Sequence, residues 1–308
     1  MSLNEDFSIN KQTDIFQIYS LIGKYIAERL NLSVSSEGII RSIHDPAMNR
    51  GILILEALKY LNEDVQPINW EINRFNISGT EIDCIMKEHA INNIYSYTGI
   101  DLTPSIFDAR YLLFNEMSYD VIVTDTVRYF EKTNDKHVTM FNNVTYIKYI
   151  MKSLNVNGSA AIIVPSEVLF SDKRRYIKIR YKLLHRFNLH HIVSVTRKDD
   201  TNVYILFFDN NGRTQSIDYY YLDFEESTSK ELCSFNLAEE RCSSDAISET
   251  YDRTISFEEI ISQSNYNFGE VLNLDDIYHF SDSDSNESNT SEHKVEFNIE
   301  EQFTNMAL

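Results

Sequence analysis

A chain of 308 residues with 43% hydrophobic content holds enough apolar material for one large α/β domain or two smaller ones. No apolar run approaches the ~20 residues that span a bilayer, and Met1 to Asn10 carries neither a basic start nor an apolar signal segment, so a soluble, cytoplasmic or otherwise intracellular protein without membrane partners is expected. The net charge of −19 is uneven: residues 216–308 hold 22 acids and four bases, net −18, which leaves −1 for the first 215 residues. The last third is therefore an acidic appendage. Cys84, Cys233 and Cys242 are odd in number and far apart, which suggests free thiols and neither a disulfide framework nor a metal site.

In chain order, Ile15, Phe16, Tyr19, Ile22, Ile26 and Leu30 recur at a helical period of about 3.6 and predict a helix over Thr13 to Leu30. Gly38 to Ile43 reads as a strand, and His44 to Gly51 as a turn into an apolar helix over Ile52 to Leu61. Strand, turn and helix in this order cradle nucleotide-like cofactors. Arg74 to Gly79 reads as a second strand, followed by a helix ending near Tyr97, and Ser105 to Asp108 as a weak third strand. Asp120 to Thr124 is apolar and β-branched, as a strand covered on both faces should be. A helix over Val138 to Leu154 and a turn at Asn155 to Gly158 precede a buried strand over Ala160 to Pro165. A helix from about Asp172 to Phe187 carries the only dense basic stretch, Lys173, Arg174, Arg175, Lys178, Arg180, Lys182 and Arg186 beside His185. A helix is expected to spread these over more than one face, and a solvated surface is as good an expectation as a phosphate-contacting one. Strands over His190 to Val195 and Val203 to Phe208 are expected to pair antiparallel. His190 and His191 should point to opposite sides of their strand and share no metal. Ile217 to Leu222 alternates and could extend the sheet, while residues 225–270 are mixed and acidic, with short helices near Leu237 and Ile260. The fold expected is α/β, a Rossmann-like doubly wound sheet closed by a terminal antiparallel strand pair. Three regions are expected: an N-terminal helical segment (1–36), an α/β domain (37–224) and an acidic extension (225–308), disordered around 281–292.

Asp45-Pro46-Ala47, Glu81 after the second strand, the polar strand end at Asp125, the run Ala161 to Phe170, and the closing strands occur in an order that resembles adenine-specific N6-DNA methyltransferases, particularly the M subunit of type I restriction-modification systems. No one of these motifs is specific alone, and the resemblance covers roughly Phe16 to Asp209. It implies a methyltransferase fold, S-adenosylmethionine as cofactor, and DNA and protein partners such as an active methyltransferase or a specificity subunit. The family's first loop is Asp-Pro-Ala-Cys-Gly-Ser/Thr-Gly-Gly. Asp45, Pro46, Ala47 and Gly51 match it, whereas Met48, Asn49, Arg50 and Ile52 do not and are expected to crowd the cofactor's place. Glu81 corresponds to the acid that binds ribose hydroxyls, and Asp108 to one near the cofactor's adenine; an acid favouring a helix start is the ordinary reading of Glu81.

The family's catalytic loop, Asn/Asp-Pro-Pro-Phe/Tyr, orients the adenine amine and stacks on the flipped base. Here it reads Asp125-Thr126-Val127-Arg128. Both prolines are gone, and Tyr129 is the nearest aromatic residue. Asp125 could still accept a hydrogen bond, although a solvated loop acid is the commoner case. The resemblance thus implies a fold that has lost or weakened its chemistry and acts as a subunit or regulator, with a working divergent adenine N6-methyltransferase as the alternative and an acidic-tail interaction protein as the third. Lys173, Arg174, Arg175 and Lys178 are the candidates for nucleic-acid contact.

Overall fold

The computed structural model describes residues 18–63, 67–109, 116–127, 143–196, 202–224 and 247–271. Among the described residues, nine strands form one sheet in the order β3-β2-β1-β4-β5-β7-β6-β8-β9. The strands are β1 (Ile43–Asp45), β2 (Ile77–Glu81), β3 (Ile106–Asp108), β4 (Tyr119–Asp125), β5 (Leu154–Pro165), β6 (Asn188–Thr196), β7 (Asn202–Asp209), β8 (Ser216–Phe224) and β9 (Ile247–Ser256). The helices are α1 (18–29), α2 (Ile52–Asn62), α3 (Trp70–Asn73), α4 (Cys84–Thr98), α5 (Asn143–Ser153), α6 (Glu167–Phe170), α7 (Arg174–Arg186), α8 (Phe257–Ser262) and α9 (Phe268–Val271). β1 to β5 run parallel, and β7 is antiparallel to both β5 and β6, so the sheet closes as expected with a reversed strand.

Covered parallel strands should be apolar throughout, and Val121, Ile122 and Val123 of β4 and Ala161, Ile162 and Ile163 of β5 are all buried. The strands around the first turns start and end later than their apolar runs suggest. β1 holds His44 and Asp45, and β2 holds Thr80 and Glu81, polar residues that the core accepts because each has a partner there. The expected turn at Asn155 to Gly158 lies within β5, as an excursion between the Tyr119–Leu154 and Val121–Ser159 pairings.

A further difference concerns side-chain direction. The register of β6 against β7 slips between Leu189 and His191, leaving His190 as an extra residue. This bulge defeats the alternation that would separate His190 from His191: their Nδ1 atoms lie 2.6 Å apart. Among the described residues, no cluster of three or more His, Cys, Asp or Glu side chains could hold a metal. β9 lies within the stretch read as mixed and acidic; it pairs antiparallel with β8, and only its Ile255 is buried. α1 is clipped to β9, with Tyr25 Oη donating to Glu249 Oε1 at 2.7 Å and Arg29 paired with the same carboxylate. The helix expected near Ile260 is α8, started by a capping box between Ser256 and Glu259. Leu237 and residues 281–292 lie outside the described residues, as do Cys233 and Cys242. Among the described residues, no helix is long and apolar enough to cross a membrane.

Candidate functional site

Four adjacent parallel strands each end in an acid: β3 in Asp108, β2 in Glu81, β1 in Asp45 and β4 in Asp125. Glu81 pairs with Asp108, and Asp45 with Gly79, so the acids line one edge of the sheet, where ligands of open α/β sheets bind. The structure thus brings Asp45, Pro46, Ala47, Gly51, Glu81, Asp108 and Asp125 to one edge. Tyr129 lies outside the described residues.

The loop from Asp45 to Gly51 is laced onto the end of β2. Asp45 Oδ1 accepts from the Ala47 amide at 2.9 Å, Thr80 Oγ1 donates to the Pro46 carbonyl at 2.5 Å, and the Met48 amide donates to the Thr80 carbonyl at 2.9 Å. Asn49 and Gly51 both take left-handed backbone, φ 49° and 72°, where glycine is free of strain and asparagine is among the better tolerated alternatives. The loop therefore keeps a glycine-like path at a position that has lost its glycine. Of the four residues expected to crowd the cofactor's place, Met48 and Ile52 are buried in the protein; only Asn49 and Arg50 are partly exposed. Met48 packs so closely on Gly79 that a Cβ there would lie 2.5 Å from its sulfur.

Glu81 is buried, with both carboxylate oxygens engaged. Oε2 accepts from the Asn49 amide at 2.6 Å, and Oε1 from the amides of Ile82 and Asp83 at 2.8 and 2.9 Å. Asp45 beside it is fully buried, and desolvation raises its pKa to about 7. The Thr124 hydroxyl and the Ala47 amide oppose that shift, while the charges of Asp125 and Glu81 add to it. Tyr146 of α5 is also buried here, its phenol pushed upward by desolvation and by the charges of Glu81 and Asp45. Sequence reading missed Tyr146 because on α5 it is one more residue of the apolar face.

Asp125 is 3% exposed, so the solvated loop acid is not what forms. Its Oδ1 accepts from the Val127 amide at 2.8 Å, an Asx turn. The next residue, Thr126, donates both its amide, at 3.0 Å, and its hydroxyl, at 2.9 Å, to the Ile163 carbonyl of β5. The turn that leaves β4 is thereby pinned to the neighbouring strand.

Lys173, Arg174 and Arg175 open α7, which follows the carboxyl end of β5 and so starts at the same edge as the acids. On α7 the cations spread over more than one face, as expected. Arg174, Arg175, Lys178 and Arg186 are exposed and Lys182 half-buried on one face, while Arg180 is buried, donating to the carbonyls of Val168, Ser171 and Asn265.

A family model described as N-6 DNA Methylase matches residues 20–296. Among solved structures, the chain is similar to a component of a type I restriction-modification complex (20% identity, TM-score 0.55, covering 67% of this chain and 45% of that one). It is similar to the M protein of the type I restriction enzyme EcoKI (20%, 0.53, 66% and 47%). The methyltransferase subunit of a type I system from Streptococcus thermophilus also matches (16%, 0.51, 81% and 56%). The chain spans about half the length of these relatives, and at such identities the likeness is one of fold. No curated protein matches.

Proposed function

The chain belongs to the N-6 DNA Methylase family, and from that premise we propose that it is a methyltransferase-fold subunit that has lost or greatly weakened methyl transfer and works beside an active DNA methyltransferase or a specificity subunit. The observation that carries this reading is the Glu81 carboxylate. In the resemblance it is the acceptor for ribose hydroxyls of S-adenosylmethionine, yet here three backbone amides occupy its two oxygens, one of them from the loop that would flank the cofactor. A carboxylate has about four acceptor positions, so these amides leave one for a ribose that presents two hydroxyls, a poorer fit than the family motif requires.

The other end of the site points the same way. A proline after Asp125 would have no amide hydrogen, so the bond from Thr126 to Ile163 is one the family's catalytic loop cannot make. That bond holds the loop against β5. Lys173, Arg174, Arg175 and Lys178, at or near this edge, are placed to meet DNA phosphates in this reading. One observation favours the alternative, a working divergent adenine N6-methyltransferase: Asn49 and Gly51 both take left-handed backbone, at two positions where the family's loop has glycine.

Calorimetric titration of the full chain with S-adenosylmethionine, together with transfer of labelled methyl to duplex DNA, tests the proposal. No transfer by the wild type, with cofactor binding absent or recovered only by Arg50→Gly, is the expected result. Adenine methylation that disappears in Asp125→Ala overturns it and establishes the enzyme.

A further inference from the structure

At the edge of the sheet opposite the four acids lies a hollow of about 370 Å³, lined by Lys148, Met151 and Lys152 of α5, by Lys182, Arg186 and Phe187, and by Asn210. Its place follows from topology: Ser153 leads into β5, Phe187 into β6, and Asn210 follows the reversed β7. Among the described residues, no carboxylate lines it. Neither α5 nor α7 contains a single acidic residue, although acids outnumber bases 47 to 28 in the chain. The first 215 residues hold 25 acids against 24 bases, so these two neighbouring helices concentrate cations within a nearly neutral stretch.

The arrangement is linear. Arg174, Lys178, Lys182 and Arg186 stand four residues apart, so they rise by ~6 Å per step and make a row ~18 Å long. Lys148 and Lys152, also four apart on α5, widen the row where it enters the hollow. The Lys182 ammonium is disfavoured first by burial and then by the charges of Arg186, Lys148 and Lys178, so among the described residues the cations of the hollow repel one another. A single phosphate would need one focus of donors. A row of cations along a helix instead matches a polyanion with regularly spaced charges, and a nucleic-acid strand carries one phosphate every ~3.4 Å of rise.

We propose that this hollow, with the α7 row leading into it, is a second nucleic-acid backbone site, in which Lys148, Lys152, Lys182 and Arg186 hold phosphates away from the strand-end crevice. Contacts of this kind position a duplex and do not read its sequence. The site shares Arg174 and Lys178 with the DNA contacts proposed above, but it requires neither cofactor nor methyl transfer, so the methyl-transfer assay and the salt slope at Lys152 fail independently.

The test is fluorescence anisotropy of a labelled 20-base-pair duplex of arbitrary sequence with the full-length chain across a salt series. Each phosphate contact contributes about −0.9 to the slope of log affinity against log salt, so replacing all four cations by alanine should flatten it by about 3.6, and exposed Lys152→Ala alone by about 0.9. Lys87→Ala, on α4, should leave it unchanged. No duplex binding by the wild type, or an unaltered slope in Lys152→Ala and in a four-site variant with native circular dichroism, overturns the proposal; if the four-site variant does not fold, Lys152→Ala decides. Displacement of the duplex by polyglutamate at equal charge concentration also overturns it, in favour of an acidic protein partner.

Discussion

His44 and Asp45 are consecutive residues of β1, both fully buried, and burial drives their acidities past each other: His44 falls from 6.5 to about 3, and Asp45 rises from 3.8 to about 7. Neutral His44 is held by Ser78 Oγ at 2.9 Å from Nδ1 and Tyr149 Oη at 3.3 Å from Nε2, with its ring stacked on Tyr119. Between pH 4 and 6.5 the unfolded chain carries the proton on His44 and the folded chain carries it on Asp45. The number bound is the same, so the pair contributes no slope to stability in that window.

Breaking the pair should expose two opposite slopes. In Asp45→Asn, the depressed His44 remains, and stability should fall as pH drops from 6.5 toward 3. In His44→Gln, the raised Asp45 remains, and stability should fall as pH rises from 4 through 7. At about 1.4 kcal/mol per unit, each trend amounts to roughly 4 kcal/mol. Urea denaturation of both variants from pH 3.5 to 8 reads them, and two flat profiles would show that the buried charges are not what the fold opposes.

Glu81→Ala should leave the amides of Asn49, Ile82 and Asp83 without their acceptor and cost about 3 kcal/mol. Glu81→Gln keeps one oxygen and should cost less, about 1–2 kcal/mol. Hydrogen exchange should show the difference at the Asn49 amide. Equal protection there in all three proteins would mean that Glu81 does not hold the loop.

Thr126→Val removes only the hydroxyl bond to Ile163 and should cost about 1 kcal/mol. Thr126→Pro removes the amide bond as well and should cost more. If the proline variant is as stable as the valine one, the amide bond contributes nothing, and the pinned loop is no obstacle to the family's catalytic turn. Thermal denaturation monitored by circular dichroism is sufficient to rank them.

Gly79→Ala places a Cβ 2.5 Å from Met48 Sδ and 3.2 Å from the Asp45 carbonyl. Crowding of this kind costs about 1–3 kcal/mol. Met48→Ala opens a space there, so the double variant should be more stable than the sum of the two single losses predicts. A double-mutant cycle measures that coupling. Additivity would mean that the carbonyl, not the methionine, is what the new methyl meets.

The order of strands and helices was legible because covered parallel strands are apolar runs between amphipathic helices, as Val121 to Val123 and Ala160 to Val164 show. Polar residues at strand ends were harder to place. His44, Asp45, Thr80 and Glu81 resemble turn residues, and their burial depends on partners far away in sequence. β9 escaped notice because an edge strand with one buried residue carries no hydrophobic period. The meeting of His190 with His191 depends on a one-residue register slip that neither strand announces. At the site, Asp45, Glu81, Asp108 and Asp125 were legible through the family resemblance. The use of Glu81 by the Asn49 amide could not, since it is set by the path of the loop. On α7, the position of Arg180 among six lysines and arginines gave no sign that it alone would be buried.

The clip between Tyr25 and Glu249 joins residues 224 positions apart in sequence. A ribosome adding roughly 5–20 residues per second needs about 11–45 seconds between one partner and the other. Throughout that interval α1 must wait with one face unfinished, and the sheet has no outermost strand. Assembly of this protein therefore cannot be completed from its beginning. Its first described helix is held on that side by its last described strand, and a chain that stalls before residue 249 lacks that fastening.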